Sequence, residues 1–103
     1  MTSLAEQTLA VQLEQQGIPF EREFRFAPPR RWRADFLIQV LPELLVEIDG
    51  GAFVAGRHSR GKGVEADAEK QSAAAILGYR VIRCTPAQVE DGRALDWIRQ
   101  ALG

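Results

Sequence analysis

Cysteine is almost missing from this chain. Among 103 residues it occurs once, at Cys84, which excludes an internal disulfide framework and any zinc cage built on thiolates. Long apolar runs are missing too: none approaches the ~20 residues needed to cross a bilayer. No charged-then-apolar signal stretch opens the chain. Excess charge of either sign is absent, with 13 Lys and Arg against 14 Asp and Glu for a net charge of −1. That balance excludes a histone-like protein that holds nucleic acid by bulk charge alone. Repeats, linkers and low-complexity tracts are lacking, and 46% apolar content with low net charge excludes disorder. What is left is one domain over residues 1–103 with a single core, expected to be intracellular, cytoplasmic and without a membrane partner.

What the chain does have is uneven charge. Eight of the 13 basic residues lie between Arg22 and Lys62. They are Arg22, Arg25, Arg30, Arg31, Arg33, Arg57, Arg60 and Lys62, and Asp35, Glu47 and Asp49 fall in the same stretch. A protein that grips an anion while holding a cation would look like this, and so would one with ordinary surface ion pairs.

The order of elements can be read from capping and periodicity. Ser3 and Glu6 have capping-box spacing, Leu4, Leu9, Val11 and Leu13 recur at helical intervals, and Gly17 stops the helix. After Pro19 the period becomes two, with Phe20, Phe24 and Phe26 on one face of a first strand. Arg31 to Ile38 alternates again, with Trp32, Ala34, Phe36 and Ile38 on the apolar face and Arg31, Arg33, Asp35 and Leu37 on the other. Leu41-Pro42-Glu43 is a hairpin link to a third strand, Leu44 to Asp49, with Leu44, Val46 and Ile48 on one side and Leu45, Glu47 and Asp49 on the other. Short links between sequential strands predict an antiparallel meander. Residues 50–63 read as a glycine-rich cationic loop, long enough in so small a domain to suggest a functional role. The spacing then predicts a helix over Val64 to Leu77 with Gly78 as its cap, a strand over Tyr79 to Cys84, a short helix opened by Thr85-Pro86, and a closing helix from Arg93 to Leu102. The result is an α/β (α+β) order, α-β-β-β-α-β-α, with a central mixed sheet flanked by helices.

The acids on the second and third strands carry the chemistry. Adjacent strands run about 4.8 Å apart, so a register that sets Asp35 opposite Glu47 or Asp49 would bring three carboxylates together. Like charges at that range disfavour ionisation unless a cation joins them. Hard oxygen donors without thiols suit Mg²⁺ or Mn²⁺, which can activate water and neutralise charge in phosphodiester hydrolysis. The competing reading puts the same acids on the wet face of an antiparallel sheet, paired with Arg31 and Arg33. Gly50-Gly51 at the end of the third strand, followed at once by the cationic loop, favours the functional reading. Arg57, Arg60 and Lys62 suit a DNA backbone, and Arg30, Arg31 and Arg33 would widen that strip. His58, the only histidine, could serve beside them as an acid or a phosphate contact. Trp32 and Trp97 read as packing residues.

Arg33-Ala34-Asp35-Phe36, then Val46-Glu47-Ile48-Asp49-Gly50-Gly51, Gly56-Arg57-His58, Asp67-x-x-Lys70 and Gly78-Tyr79-Arg80-Val81-Ile82-Arg83 resemble the small single-domain members of the PD-(D/E)XK nuclease superfamily. The nearest are the very-short-patch-repair endonucleases and their phage and bacterial relatives. The resemblance spans roughly Ser3 to Thr85 and implies a restriction-endonuclease-like core. It also implies that Asp35 and Glu47 bind Mg²⁺ or Mn²⁺, with the Ile48 carbonyl as a further ligand. Glu6 matches the acid that many members carry on the first helix, and equally a capping-box residue. The family's usual lysine, two residues after the strand-three acid, is replaced by Asp49. Either Asp49 is an additional ligand or the lysine's role has moved to Lys70, which could also simply pair with Asp67 or Glu65. The implied activity is a metal-dependent endodeoxyribonuclease acting on branched, nicked or junction DNA in repair or recombination, with a homodimer suited to cutting two strands. The alternatives are a non-catalytic DNA- or protein-binding module and a nuclease subunit of a larger DNA-processing machine.

Overall fold

A computed structural model describes residues 3–49 and the chain from Lys62 to Gly103, Lys62 in its backbone only. Arg57, His58 and Arg60, the cationic residues assigned to a loop, lie outside the described residues.

Helix α1, Leu4–Gln15, starts as its capping box predicts: the Glu6 amide donates to Ser3 Oγ and the Ser3 amide donates to Glu6 Oε1. Strands β1 (Phe20–Arg25), β2 (Arg33–Ile38) and β3 (Leu44–Ile48) form the expected antiparallel meander. Helix α2, Lys62–Ile76, begins two residues earlier than the spacing predicted, so Lys62, expected in a loop, stands in a first turn where Glu65 complements the helix dipole. A Schellman turn closes α2. Gly78 takes φ +94, its amide donates to the Ala75 carbonyl and the Tyr79 amide to that of Ala74. Tyr79 is thereby used by the helix end, and β4 runs Arg80–Cys84. Strand β4 pairs parallel with β3, giving a mixed sheet in the order β1-β2-β3-β4. The Thr85–Gln88 capping box opens α3, Pro86–Glu90, and α4 runs Arg93–Leu102. No described helix is long and apolar enough to cross a membrane.

Helices cover both faces of the sheet. Leu9, Ala10 and Leu13 of α1, Val89 of α3 and Ala94 and Ile98 of α4 pack on Phe36, Ile38, Leu44 and Val46 in one core. On the opposite face Ala74 of α2 packs near Leu37, Leu45, Ala34 and Phe26 in a second, smaller core. Arg80 ties the layers at one end, its guanidinium donating to the carbonyls of Pro42 and, at 2.9 Å, of Ala101.

The strand faces differ from simple alternation. Phe20 packs in the first core while Phe24 and Phe26 pack in the second, and Phe36 and Ile38 belong to the first while Trp32 and Ala34 join Leu37 in the second. Both strands therefore change faces, one between Arg22 and Phe24, the other between Ala34 and Phe36. The β1–β2 register pairs Arg22 with Phe36 and Phe24 with Ala34 but skips Glu23 and Asp35. Glu23 has φ +51, left-handed backbone that costs an L-residue roughly 1–2 kcal/mol. A break of this kind re-aims the chain on either side of it, which period-two reasoning cannot foresee.

Packing and exposure together predict stability. Leu9 is fully buried and Ile76 is 84% exposed. Leu9→Ala should lower the unfolding free energy by about 3 kcal/mol, and Ile76→Ala should change it by no more than about 0.5 kcal/mol. Urea denaturation with unchanged slopes measures both.

Candidate functional site

At the end of the sheet where the β2–β3 ladder stops, a polar pocket is lined by Glu6, Glu23, Arg33, Ala34, Asp35, Glu47, Ile48 and Lys70. It draws on five elements, α1, β1, β2, β3 and α2. The ladder pairs Ile38 with Leu44, Leu37 with Leu45 and Phe36 with Val46 and goes no further. Beyond it, the Ile48 amide donates to Asp35 Oδ2 at 2.6 Å, so a side-chain oxygen satisfies a backbone donor that the parting strands would leave unpaired. The same register continued one step sets Asp35 beside Glu47.

Four carboxylates line this pocket; Glu23 pairs with Arg33, and the other three are treated differently. Burial raises the Asp35 pKa to about 6; the Ile48 amide opposes the rise, while a hydrogen bond with Glu6 and the charges of Glu6 and Glu47 add to it. Burial also pushes Glu6 up, but the Ser3 amide, the hydrogen bond with Asp35, the Ser3 side chain and the Arg22 charge outweigh it, leaving its pKa lowered. The two neighbouring acids are thus pushed in opposite directions, Asp35 up and Glu6 down. Glu47 is held otherwise, with Lys70 Nζ 2.6 Å from its Oε1 and both side chains about one-fifth exposed. Nearby, the Cys84 thiol donates to the Glu47 carbonyl at 3.7 Å. Its pKa rises to about 11, through burial first and the Asp35 charge second, so the thiol stays protonated.

The fold brings together most of the expected residues but rearranges their company. Asp35, Glu47, Ile48, Glu6 and Lys70 all line the pocket, and Lys70 reaches Glu47 rather than Asp67 or Glu65. Glu6 caps α1 and lines the same pocket as Asp35. Asp49 does not line the pocket; its carboxylate lies 3.3 Å from Arg83, which also holds Asp67 of α2 at 3.1 Å. Among the described residues, no three His, Cys, Asp or Glu side chains stand close enough to make a metal cage by themselves. Arg33, at the pocket rim, pairs with Glu23 at 2.6 Å rather than with Asp35. Arg30 lies away from the pocket, over the Trp32 ring at 3.8 Å and beside Glu69 at 3.4 Å, and Arg31 is exposed. Trp32 packs as expected, stacked on Phe26, and Trp97 lies against the first core.

Two contributors escaped sequence reasoning. Arg22, half-buried over the Phe36 ring at 5.5 Å, lowers the Glu6 pKa. Its position on the Phe20 face of β1 was the available signal, since an arginine there must cover an apolar neighbour. Glu23 gave none, because its left-handed backbone is imposed by tertiary context.

The fold as a whole is similar to a solved structure, the catalytic domain of the homing endonuclease I-Bth0305I. The two superpose with a TM-score of 0.65 over 97% of this chain and 90% of that one, at 21% identity. The chain therefore has the fold of a nuclease catalytic domain, with the expected helix and strand order. No protein-family model and no curated protein matches the sequence.

The raised Asp35 pKa has a measurable consequence. Folding strengthens proton binding at Asp35 from its ordinary value of 3.8 to about 6. The stability this contributes is complete below about pH 4 and is lost as the pH rises through about 6. Asp35→Asn keeps an oxygen for the Ile48 amide but carries no charge. In a chelator-containing buffer its melting temperature should match wild type near pH 4 and exceed it near pH 7. A difference that stays constant across that range would contradict the assignment.

Proposed function

We propose that the chain is a metal-dependent endodeoxyribonuclease of the PD-(D/E)XK type. The observation that carries this reading is the pocket itself, which Glu6, Asp35 and Glu47 line at the open end of the sheet and in which burial, with the neighbouring acids, raises the Asp35 pKa. Such a site gains from a cation.

The donor set fits a hard divalent ion. Mg²⁺ characteristically takes one or two carboxylates and keeps several waters, so a complete protein cage is unnecessary. Asp35 and Glu47 would hold it, with the Ile48 carbonyl as a third oxygen and Asp49 reaching it only by leaving Arg83. Bound there, Mg²⁺ or Mn²⁺ would supply a Lewis acid and a water of lowered pKa. The remaining work falls to the chain. Glu6, its pKa lowered, stays ionised beside Asp35 and adds negative charge that favours a bound cation. Lys70, which lines the pocket beside Glu47, can orient the attacking water or donate to a phosphate oxygen, the task of the lysine that Asp49 displaces. Arg33 at the rim offers a fork-shaped donor to the DNA backbone.

Arg30 and Arg31 would extend that contact, with Arg57, His58, Arg60 and Lys62 as further backbone contacts from the sequence pattern. So small a domain has little surface for reading bases, which favours branched, nicked or junction DNA over a long recognition sequence. Cutting two strands would engage two copies of the chain.

The test is cleavage of linear, nicked, flapped and four-way DNA with Mg²⁺ or Mn²⁺, against a chelator control. At least one substrate should be cut, and Asp35→Asn or Glu47→Gln should slow cutting by about 100-fold or more while leaving the chain folded. Lys70→Ala should slow cutting by about 10-fold or more. Mn²⁺ titration should show binding by wild type that Asp35→Asn loses. If the whole panel stays uncut with either ion, the proposal fails for those substrates.

A further inference from the structure

Asp35 does something that an ordinary strand residue cannot. In an unbroken ladder it would face away from Phe36, on the α2 side of the sheet, with Glu6 on the far side. Its carboxylate nonetheless lines one pocket with Glu6 of α1 and with Glu47, which is held by Lys70 of α2. It stands at the edge between the two helix layers. The backbone feature that permits this lies across the ladder. Glu23 is the residue opposite Asp35, the β1–β2 register skips that pair, and Glu23 alone among the described non-glycine residues has a positive φ, +51. The face change of β1 and that of β2 both occur at this one position.

We infer that Glu23 is a positioning residue for Asp35, acting through its left-handed backbone, which opens the β1–β2 ladder and turns Asp35 toward the Ile48 amide and Glu6. This rests on the nuclease reading only for its link to catalysis. The Glu23 side chain is not what does it. Its carboxylate pairs with Arg33, and the two side chains are 42% and 55% exposed, a weak surface interaction. Glycine adopts the same backbone without steric penalty, whereas a β-branched residue is essentially barred from it.

The experiment compares Glu23→Gly with Glu23→Val. The Ile48 amide, whose acceptor is Asp35 Oδ2, reports Asp35 placement through hydrogen exchange and needs no activity. Exchange at Ile48 should be about 10-fold or more faster in Glu23→Val than in Glu23→Gly, with the Leu45 and Val46 amides alike in both. Mn²⁺ affinity and DNA cleavage should fall further in Glu23→Val than in Glu23→Gly. If Glu23→Val does not fold, Glu23→Asn and Glu23→Ala replace the pair, because asparagine tolerates left-handed backbone better than alanine; Ile48 should then exchange more slowly in Glu23→Asn. Equal Ile48 exchange within the pair overturns the inference. Equal loss in Glu23→Gly and Glu23→Val also overturns it, by assigning the effect to the side chain. If wild type cuts no DNA, the nuclease proposal falls while the exchange comparison still decides the role of Glu23.

Discussion

The hydrogen bond from the Ile48 amide to Asp35 Oδ2 sits where β2 and β3 part, and the candidate site is arranged around it. Separating two strands leaves backbone donors and acceptors without partners, and a buried donor left unpaired costs about 1–3 kcal/mol. A carboxylate that fills the vacancy solves that problem and is itself fixed in place. It also creates another, because a half-buried acid next to two more acids resists ionisation. Each neighbour is then held by its own partner, Glu6 by the Ser3 cap and the charge of Arg22, and Glu47 by Lys70. Among the described residues, Asp35 is left without a cation of its own.

The layered architecture determines where such an arrangement can exist. Helices cover both faces of the sheet, so side chains on the faces are committed to packing, and fully buried Leu9, Leu13, Phe36, Val46 and Ile98 leave no polar room there. The end where the ladder stops draws polar side chains from five elements. Helix α1 brings an acid from one layer and helix α2 an amine from the other, and the strand break at Glu23 and Asp35 lets one carboxylate face both. The likeness to an endonuclease catalytic domain extends over nearly the whole chain. A fold hosts many chemistries, and the functional argument therefore stands on the pocket.

A net charge of −1 takes on a different meaning once positions are known. Much of the cancellation is local. Arg33 is matched by Glu23, Arg83 by Asp49 and Asp67, Arg30 by Glu69 and Arg93 by Asp91. These exposed pairs contribute little stability in water, but they decide which cations stay near the pocket and which acids are drawn away from it. Asp49 is the clearest case: two residues after Glu47, it is taken up by Arg83 instead of joining Asp35.

Both capping boxes, the glycine stops, the strand order and the closing helix were legible in the sequence, because hydrogen bonds over three or four residues and side-chain periodicity are local properties. Asp35 and Glu47 were legible as neighbours for the same reason, since a short hairpin link leaves few registers. Lys70 and the site role of Glu6 entered only through family resemblance, and the structure alone settles that Lys70 meets Glu47 and that Glu6 shares a pocket with Asp35. The face change of β1 and β2 was invisible, because nothing in Arg22-Glu23-Phe24 marks a left-handed residue and the surrounding alternation argues against one. The sequence by itself determined which elements form and in what order; the tertiary structure decided which acids share a pocket. Local rules act along the chain, whereas a carboxylate's company depends on strand register, helix layer and one backbone angle imposed by the packing of both cores.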